Sequence, residues 1–244
     1  MFSPASDLPP EIQVFDHAQK LTIQLTRAVV DSLEVGMSEL EVMQLAKEQA
    51  QAFGFTGWFH EPEVRFAGNI AVFHRPSKQR KLVSGTLVEL DIAPATDDAF
   101  GDLGVGLVFG EETEHTLVHE SREACRAVCG FASRYKTAGE LFVFARSWAN
   151  NHRMNLGSAR SVGHVVPLRQ GPLGCAWPKT ARAAILLRRF QVHFLNPRRL
   201  HGMWALSPRV VMGKTGMCFE EIVYVDADHK RILGRDELSE IGTY

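Results

Sequence analysis

The chain has 244 residues, 45% apolar and 23% charged, an ordinary balance for a globular protein with a sizeable core. Lysine and arginine number 27 and aspartate and glutamate 28, and this net charge of −1 argues against a dedicated nucleic-acid binder and gives no polybasic membrane signal. No apolar run reaches the ~18 residues of a transmembrane helix, and the N-terminal MFSPASDLPPEIQVFDH lacks a basic region followed by an apolar core, so a cytoplasmic location is expected.

Residues 1–10 hold three prolines and read as an irregular arm; residues 11–244 read as a single domain. From Glu11 to Leu33, Ile12, Phe15, Ala18, Leu21, Leu25 and Val29 recur at helical spacing, and Gly36 ends the run. Ser38 with Glu41 forms a capping box that opens a second helix to about Phe53. Short apolar runs follow at Val64–Phe66, Ile70–Phe73, Leu87–Ile92 and Val105–Phe109, and these read as strands. The order then repeats. A long helix is expected over Glu111–Tyr135. A second capping box, Thr137 with Glu140, opens a helix to about Asn150, and strands return with Met217–Val225 the clearest. Helix, helix, strands, twice over, suggests two similar halves around one core.

Four cysteines, Cys125, Cys129, Cys175 and Cys218, contain no C-x-x-C pair and read as buried free thiols. Asp91, inside the apolar Val88–Ala93, and Asp102, eleven residues on, could meet through a hairpin, where a buried carboxylate pair needs a cation or a shared proton. Taken alone they also fit turn aspartates, as Asp97 and Asp98 do. His164, between Gly163 and two valines, is either a core histidine or a ligand. Glu220 and Glu221 head a β-branched strand, where alternation turns them opposite ways; the plain reading is an exposed edge or an ion pair. His74, at the end of an apolar run, looks into a cleft or sits in a loop.

Together these pieces resemble the pita-bread metallopeptidase family of methionine aminopeptidases, Xaa-Pro aminopeptidases, prolidases and the metal-free creatinase. The resemblance runs from about residue 17 to 230. It rests on the Asp91–Asp102 spacing, His74 seventeen residues upstream, and then Gly163-His164, Gly202-Met203 and Phe219-Glu220-Glu221 in order. It implies an α+β fold of two pseudo-symmetric halves around a curved antiparallel sheet. It also implies one or two divalent ions (Mn, Mg, Co, Fe or Zn), or none, held by Asp91, Asp102, His164 and Glu220. His74 would contact the substrate or intermediate, and His164 would share in catalysis. A fifth ligand, a glutamate, is expected where Ser207 stands, and a second histidine where Gly171 stands. The missing glutamate is also the group that would handle the proton of the attacking water, a task for which a serine hydroxyl is a poor base. At most one well-held ion, oxygen-ligated and of the Mn²⁺ or Mg²⁺ type, is therefore expected. Glu221 or His201 rescues the site only if the strand register differs.

Three functions follow. The first is a metallopeptidase-like hydrolase of a small amide or peptide bond, N-terminal or Xaa-Pro. The second is an inactive pseudopeptidase that binds a peptide or protein partner. The third is a metal-independent, creatinase-like C–N hydrolase. The partners expected are a small peptide or amide substrate and, as an open option, a second copy in a homodimer; neither nucleic acid nor membrane is expected. Lys179, Arg182, Arg188, Arg189, Arg198 and Arg199 read as a solvated face, and the segment 170–200, with Trp177, Phe190 and Phe194, as a cleft cover or dimer contact.

Overall fold

A computed structural model describes residues 8–66, 77–111, 115–157, 161–168 and 190–235. His74, Gly171, Cys175, Trp177 and the four basic residues from Lys179 to Arg189 lie outside them, as does the expected strand Ile70–Phe73.

Helix α1 spans Pro10–Asp31. Proline at the first helical position costs nothing, since its missing N–H would have no intrahelical partner. One stripe, Ile12, Phe15, Ala18, Leu25 and Val29, is buried against the sheet. Helix α2, Glu39–Ala52, opens on the expected capping box: Ser38 accepts from the Glu41 amide, and Glu41 accepts from the Ser38 amide. Three strands follow, β1 (Gly57–Phe66), β2 (Leu87–Ala95) and β3 (Leu103–Val108), paired antiparallel in that order. β1 begins well before the expected Val64, and its pairing with β2 shifts register twice, between Trp58 and His60 and between His60 and Glu63. Pro62 lies in the second shift, on the edge strand, where its missing N–H removes no ladder bond.

The second half repeats the plan. Helix α3 is Thr116–Phe131, shorter than the expected Glu111–Tyr135. It starts where the His115 ring accepts from the Leu117 amide, and stops where Ala132 turns extended (ψ 132°). Thr137 and Glu140 form the second capping box at the head of α4, Ala138–Asn151. The repeat extends to the neighbours of the caps: Ser38 bridges Lys81, and Thr137 bridges Arg199. Strands β5 (Gly163–Val166), β6 (Gly202–Leu206), β9 (Glu221–Val225) and β10 (Lys230–Ile232) form a sheet in the order β10-β9-β6-β5. The short strands β4 (Asn155–Leu156), β7 (Val210–Met212) and β8 (Thr215–Met217) form another.

The expected single strand Met217–Val225 is two. β8 pairs with β7 and β9 with β6, so the chain changes sheet between them. At the crossing the Cys218 amide leaves the ladder and donates to the Glu89 carboxylate at 2.9 Å. Glu220 then makes an isolated bridge with Gly104, which ties the first half's sheet to the head of β9. Any side chain at residue 104 would meet the Glu220 amide and Cβ at 2.9 Å, so glycine there permits the approach.

Leu90, Ile92, Val42, Leu141 and Trp204 are buried in one core shared by both halves. Burying each such side chain contributes about 1.5–3 kcal/mol. Cys125, Cys129 and Cys218 are buried free thiols, as expected. The Cys129 thiol beside Cys125 and the burial of Cys218 push both pKa values well up, so neither is a nucleophile at neutral pH. Among the described residues no helix is long and apolar enough to cross a membrane.

Candidate metal centre at the junction of the halves

β2 alternates its side chains, so Glu89 and Asp91 share a face and Leu90 and Ile92 take the other, both fully buried. The hairpin to β3 brings Asp102 back beside Asp91. Asp102 is fully buried, and α1 fixes its backbone. The Gln19 side chain donates to the Asp102 carbonyl at 2.9 Å and accepts its amide at 2.7 Å. Gly101 makes room for this contact, since a Cβ there would lie 2.0 Å from the Thr22 hydroxyl. His164 enters from β5 and Glu220 from the bridge residue just before β9, both from the second half.

The sequence-predicted residues Asp91, Asp102, His164 and Glu220 thus converge. His164 Nε2 lies 3.4 Å from Asp102 Oδ2 and 3.8 Å from Glu220 Oε1. Ser207 follows the end of β6 and hydrogen-bonds the Glu220 carboxyl, so the position expected to carry a glutamate does face the cluster. Glu220 and Glu221 point opposite ways, as alternation requires, but both are buried rather than at an exposed edge. Glu221 is taken up by an ion pair with Arg235, and His201 is exposed; neither enters the site.

One member of the cluster was not foreseen. His60, on β1, places Nε2 3.2 Å from Asp91 Oδ1 and 3.5 Å from Asp102 Oδ1. The register shifts on both sides of it are bulges, which re-aim a side chain locally. Its Nδ1 lies 2.9 Å from the Glu61 carbonyl, and His164 Nδ1 lies 3.0 Å from the Val165 carbonyl. A carbonyl only accepts, so Nδ1 carries the proton in both rings and Nε2 faces the carboxylates. Phe59, stacked on Phe100 at 4.1 Å, closes one side, with its ring 6.0 Å from His60 and 5.8 Å from His164.

The electrostatics follow from burial and crowding. Burial would raise the Asp102 pKa, but the facing rings of His164 and His60 overcome it and hold it at about 2. Burial lowers that of His60, yet the charge of Asp91 and its contacts with both aspartates outweigh it and raise the value well above normal. Burial and the charges of Asp102 and Asp91 push Glu220 well up. Asp91 Oδ1 and both Asp102 oxygens are buried without an aligned hydrogen bond.

That arrangement fits a divalent cation. Two groups, His60–Asp91–Asp102 and Asp102–His164–Glu220, each offer ligand atoms within 4.8 Å of one another and share Asp102. Ligands bound at about 2.1 Å to one ion stand roughly 3.0–3.4 Å apart, close to the separations seen here.

Next along β2 lies a second cluster, neutral once the ion pair of Arg65 with Glu63 is counted. Glu89 accepts from Arg65, from both terminal nitrogens of Arg209 (2.8 and 2.5 Å) and from the Cys218 amide. Glu39, fully buried at the start of α2, accepts the amides of Phe66 and Ser77, each at 2.7 Å, and so gathers the two residues that flank the stretch carrying His74.

Comparison with known proteins gives the same frame. No curated protein sequence matches the chain. The X-Pro aminopeptidase of Thermotoga maritima is similar in structure with a TM-score of 0.72 and 18% identity, over 96% of this chain and 62% of that one. The prolidase of Pyrococcus furiosus gives 0.75 and 18%, over 94% and 65%. The methionine aminopeptidase of Thermotoga maritima gives 0.71 and 18%, over 96% of this chain and 100% of that one. The chain therefore spans less than two thirds of the X-Pro aminopeptidase and prolidase chains and the full length of the methionine aminopeptidase. The model of metallopeptidase family M24 matches residues 13–227, and with that match over most of its length the chain belongs to metallopeptidase family M24.

Proposed function

We propose that the chain is a metal-dependent hydrolase of a small peptide or amide bond, N-terminal or Xaa-Pro in type. The observation that carries this reading is the convergence of three carboxylates and histidine nitrogens from both halves, with buried carboxylate oxygens that no aligned donor serves. Asp91, Asp102, His164 and Glu220 would hold the ion. When bound, it would polarise the scissile carbonyl and lower the pKa of a water. Asp102 presents one oxygen to each group and so serves both. Burial and the aspartates push the Glu220 pKa up in the absence of an ion, and a cation held there would ionise it, so Glu220 serves as a ligand and not as the base. The stacked Phe59 and Phe100 exclude water from one wall. His74 keeps its proposed role against the substrate.

Ser207 favours a second reading, a pseudopeptidase that binds a peptide without cutting it. Its hydroxyl satisfies Glu220 but supplies neither charge nor a base. Elemental analysis and Mn²⁺ titration of the wild type and of Asp91→Asn, followed by a screen of Xaa-Pro dipeptides and short peptides, separate the two. An ion lost in the variant, with turnover in the wild type, supports the hydrolase. A bound ion with peptide binding and no turnover supports the second reading.

A further inference from the structure

We infer that His60 is a metal ligand of this chain, standing in number for the glutamate absent at Ser207 but on the other side of Asp102. The inference rests on the metal-dependent reading above and adds a residue to it.

Three observations carry it. The first is placement. His60 Nε2 stands between the carboxylates of Asp91 and Asp102, 3.2 and 3.5 Å away, and so mirrors His164 across Asp102, whose Oδ2 lies 3.4 Å from the second ring. Asp102 is held rigidly in the middle by Gln19. The second is orientation. Both rings spend Nδ1–H on the carbonyl of the next residue, Glu61 or Val165. This is the outer hydrogen bond by which metal-binding histidines fix their tautomer and direct the Nε2 lone pair at an ion. The third is the lack of other partners for the oxygens opposite. Asp91 Oδ1 and both Asp102 oxygens are buried with no aligned hydrogen bond. A deprotonated Nε2 aimed at two such oxygens is repulsive unless a cation lies among them, and with no ion present a proton on the ring meets the same demand.

The donor set then becomes two imidazole nitrogens and three carboxylates. Oxygen-only sites favour Mg²⁺ or Mn²⁺, whereas imidazole suits Zn²⁺, Fe²⁺ and the cobalt ion that mimics them. The Asp91 side of the cluster, expected from sequence to be all oxygen, thereby gains a nitrogen and a preference for the later metals.

The test uses Co²⁺ and Mg²⁺ as probes on the full chain, read by calorimetric titration and by the visible absorption of bound Co²⁺. His60→Gln, His60→Ala and Asp91→Asn are compared with the wild type, with circular dichroism and melting curves to show that each is folded. Both His60 variants should bind Co²⁺ at least tenfold more weakly with an altered visible spectrum. The wild type's preference for Co²⁺ over Mg²⁺ should narrow in both. Loss of the ion in Asp91→Asn, with unchanged Co²⁺ affinity and spectrum in the folded His60→Gln, overturns the role of His60 and leaves the metal-dependent reading standing. A wild type that takes up no Co²⁺ even in excess overturns both, and points to a protonated His60 ring as the cation among the carboxylates.

Discussion

Glu89→Gln should destabilise the protein far more than a neutral, nearly isosteric change would on the surface. Glu89 is 1% exposed and receives Arg65, both terminal nitrogens of Arg209 and the Cys218 amide. Glutamine offers one acceptor oxygen and an NH₂ group, so at least one guanidinium nitrogen would face a donor. It also leaves an excess positive charge among groups that are nearly all buried. Breaking a buried ion pair by removing one partner costs about 3–5 kcal/mol. At about 2–4 °C per kcal/mol for a chain of this size, the melting temperature should fall by roughly 6–20 °C. Differential scanning calorimetry with urea unfolding measures both quantities. Arg209→Met should cost a similar amount alone, and the double variant less than the sum, because the two groups meet directly. The loss should also reach the metal centre, since Arg209 and Cys218 lie two residues from Ser207 and Glu220. A loss below about 1 kcal/mol in Glu89→Gln, or strict additivity in the double variant, would refute this account of the cluster.

Further outcomes follow from other contacts. Gly104→Ala puts a Cβ 2.9 Å from the Glu220 backbone, so stability should drop by about 1–3 kcal/mol and Co²⁺ affinity should fall severalfold; titration at matched folded fraction checks it. Gln19→Leu removes both hydrogen bonds to the Asp102 peptide and leaves buried groups unmet, at about 1–3 kcal/mol each, with faster hydrogen exchange of the Asp102 amide as the local signature. Glu41 is held at about 2 by the Ser38 hydroxyl and then Lys81, below its ordinary 4.5. Its folded value is depressed, so its contribution is present above pH 4.5 and fades as pH falls toward 2. Urea midpoints across that window should fall less steeply in Glu41→Gln; parallel curves would contradict the assignment.

Much of this could be read from the residues alone. Both capping boxes are where Ser38–Glu41 and Thr137–Glu140 place them, because capping is a local interaction four residues long. Asp91, Asp102, His164 and Glu220 meet as the family resemblance implies. His60 was invisible because Glu61-Pro62-Glu63 does not read as a strand, and only pairing with β2 makes it one. Bulges depend on a partner strand and leave little mark on composition. The flanking Trp58 and Phe59 beside a lone histidine were the one available signal. Met217–Val225 misled for a related reason: its apolar pattern is continuous, but the Glu89 carboxylate captures the Cys218 amide from 129 residues away and breaks the ladder. Gln19 could not be singled out from a helical stripe, since its partner is a peptide group far along the chain.

The seam between the halves has a thermodynamic consequence. His60, Asp91 and Asp102 come from the first half and His164 and Glu220 from the second, across the Gly104–Glu220 bridge. An ion that needs ligands from both sides binds only the docked arrangement, so its binding free energy and the docking free energy of the halves are linked and reciprocal. The ion would act as a clasp: strain applied anywhere along the seam would be read out as metal release.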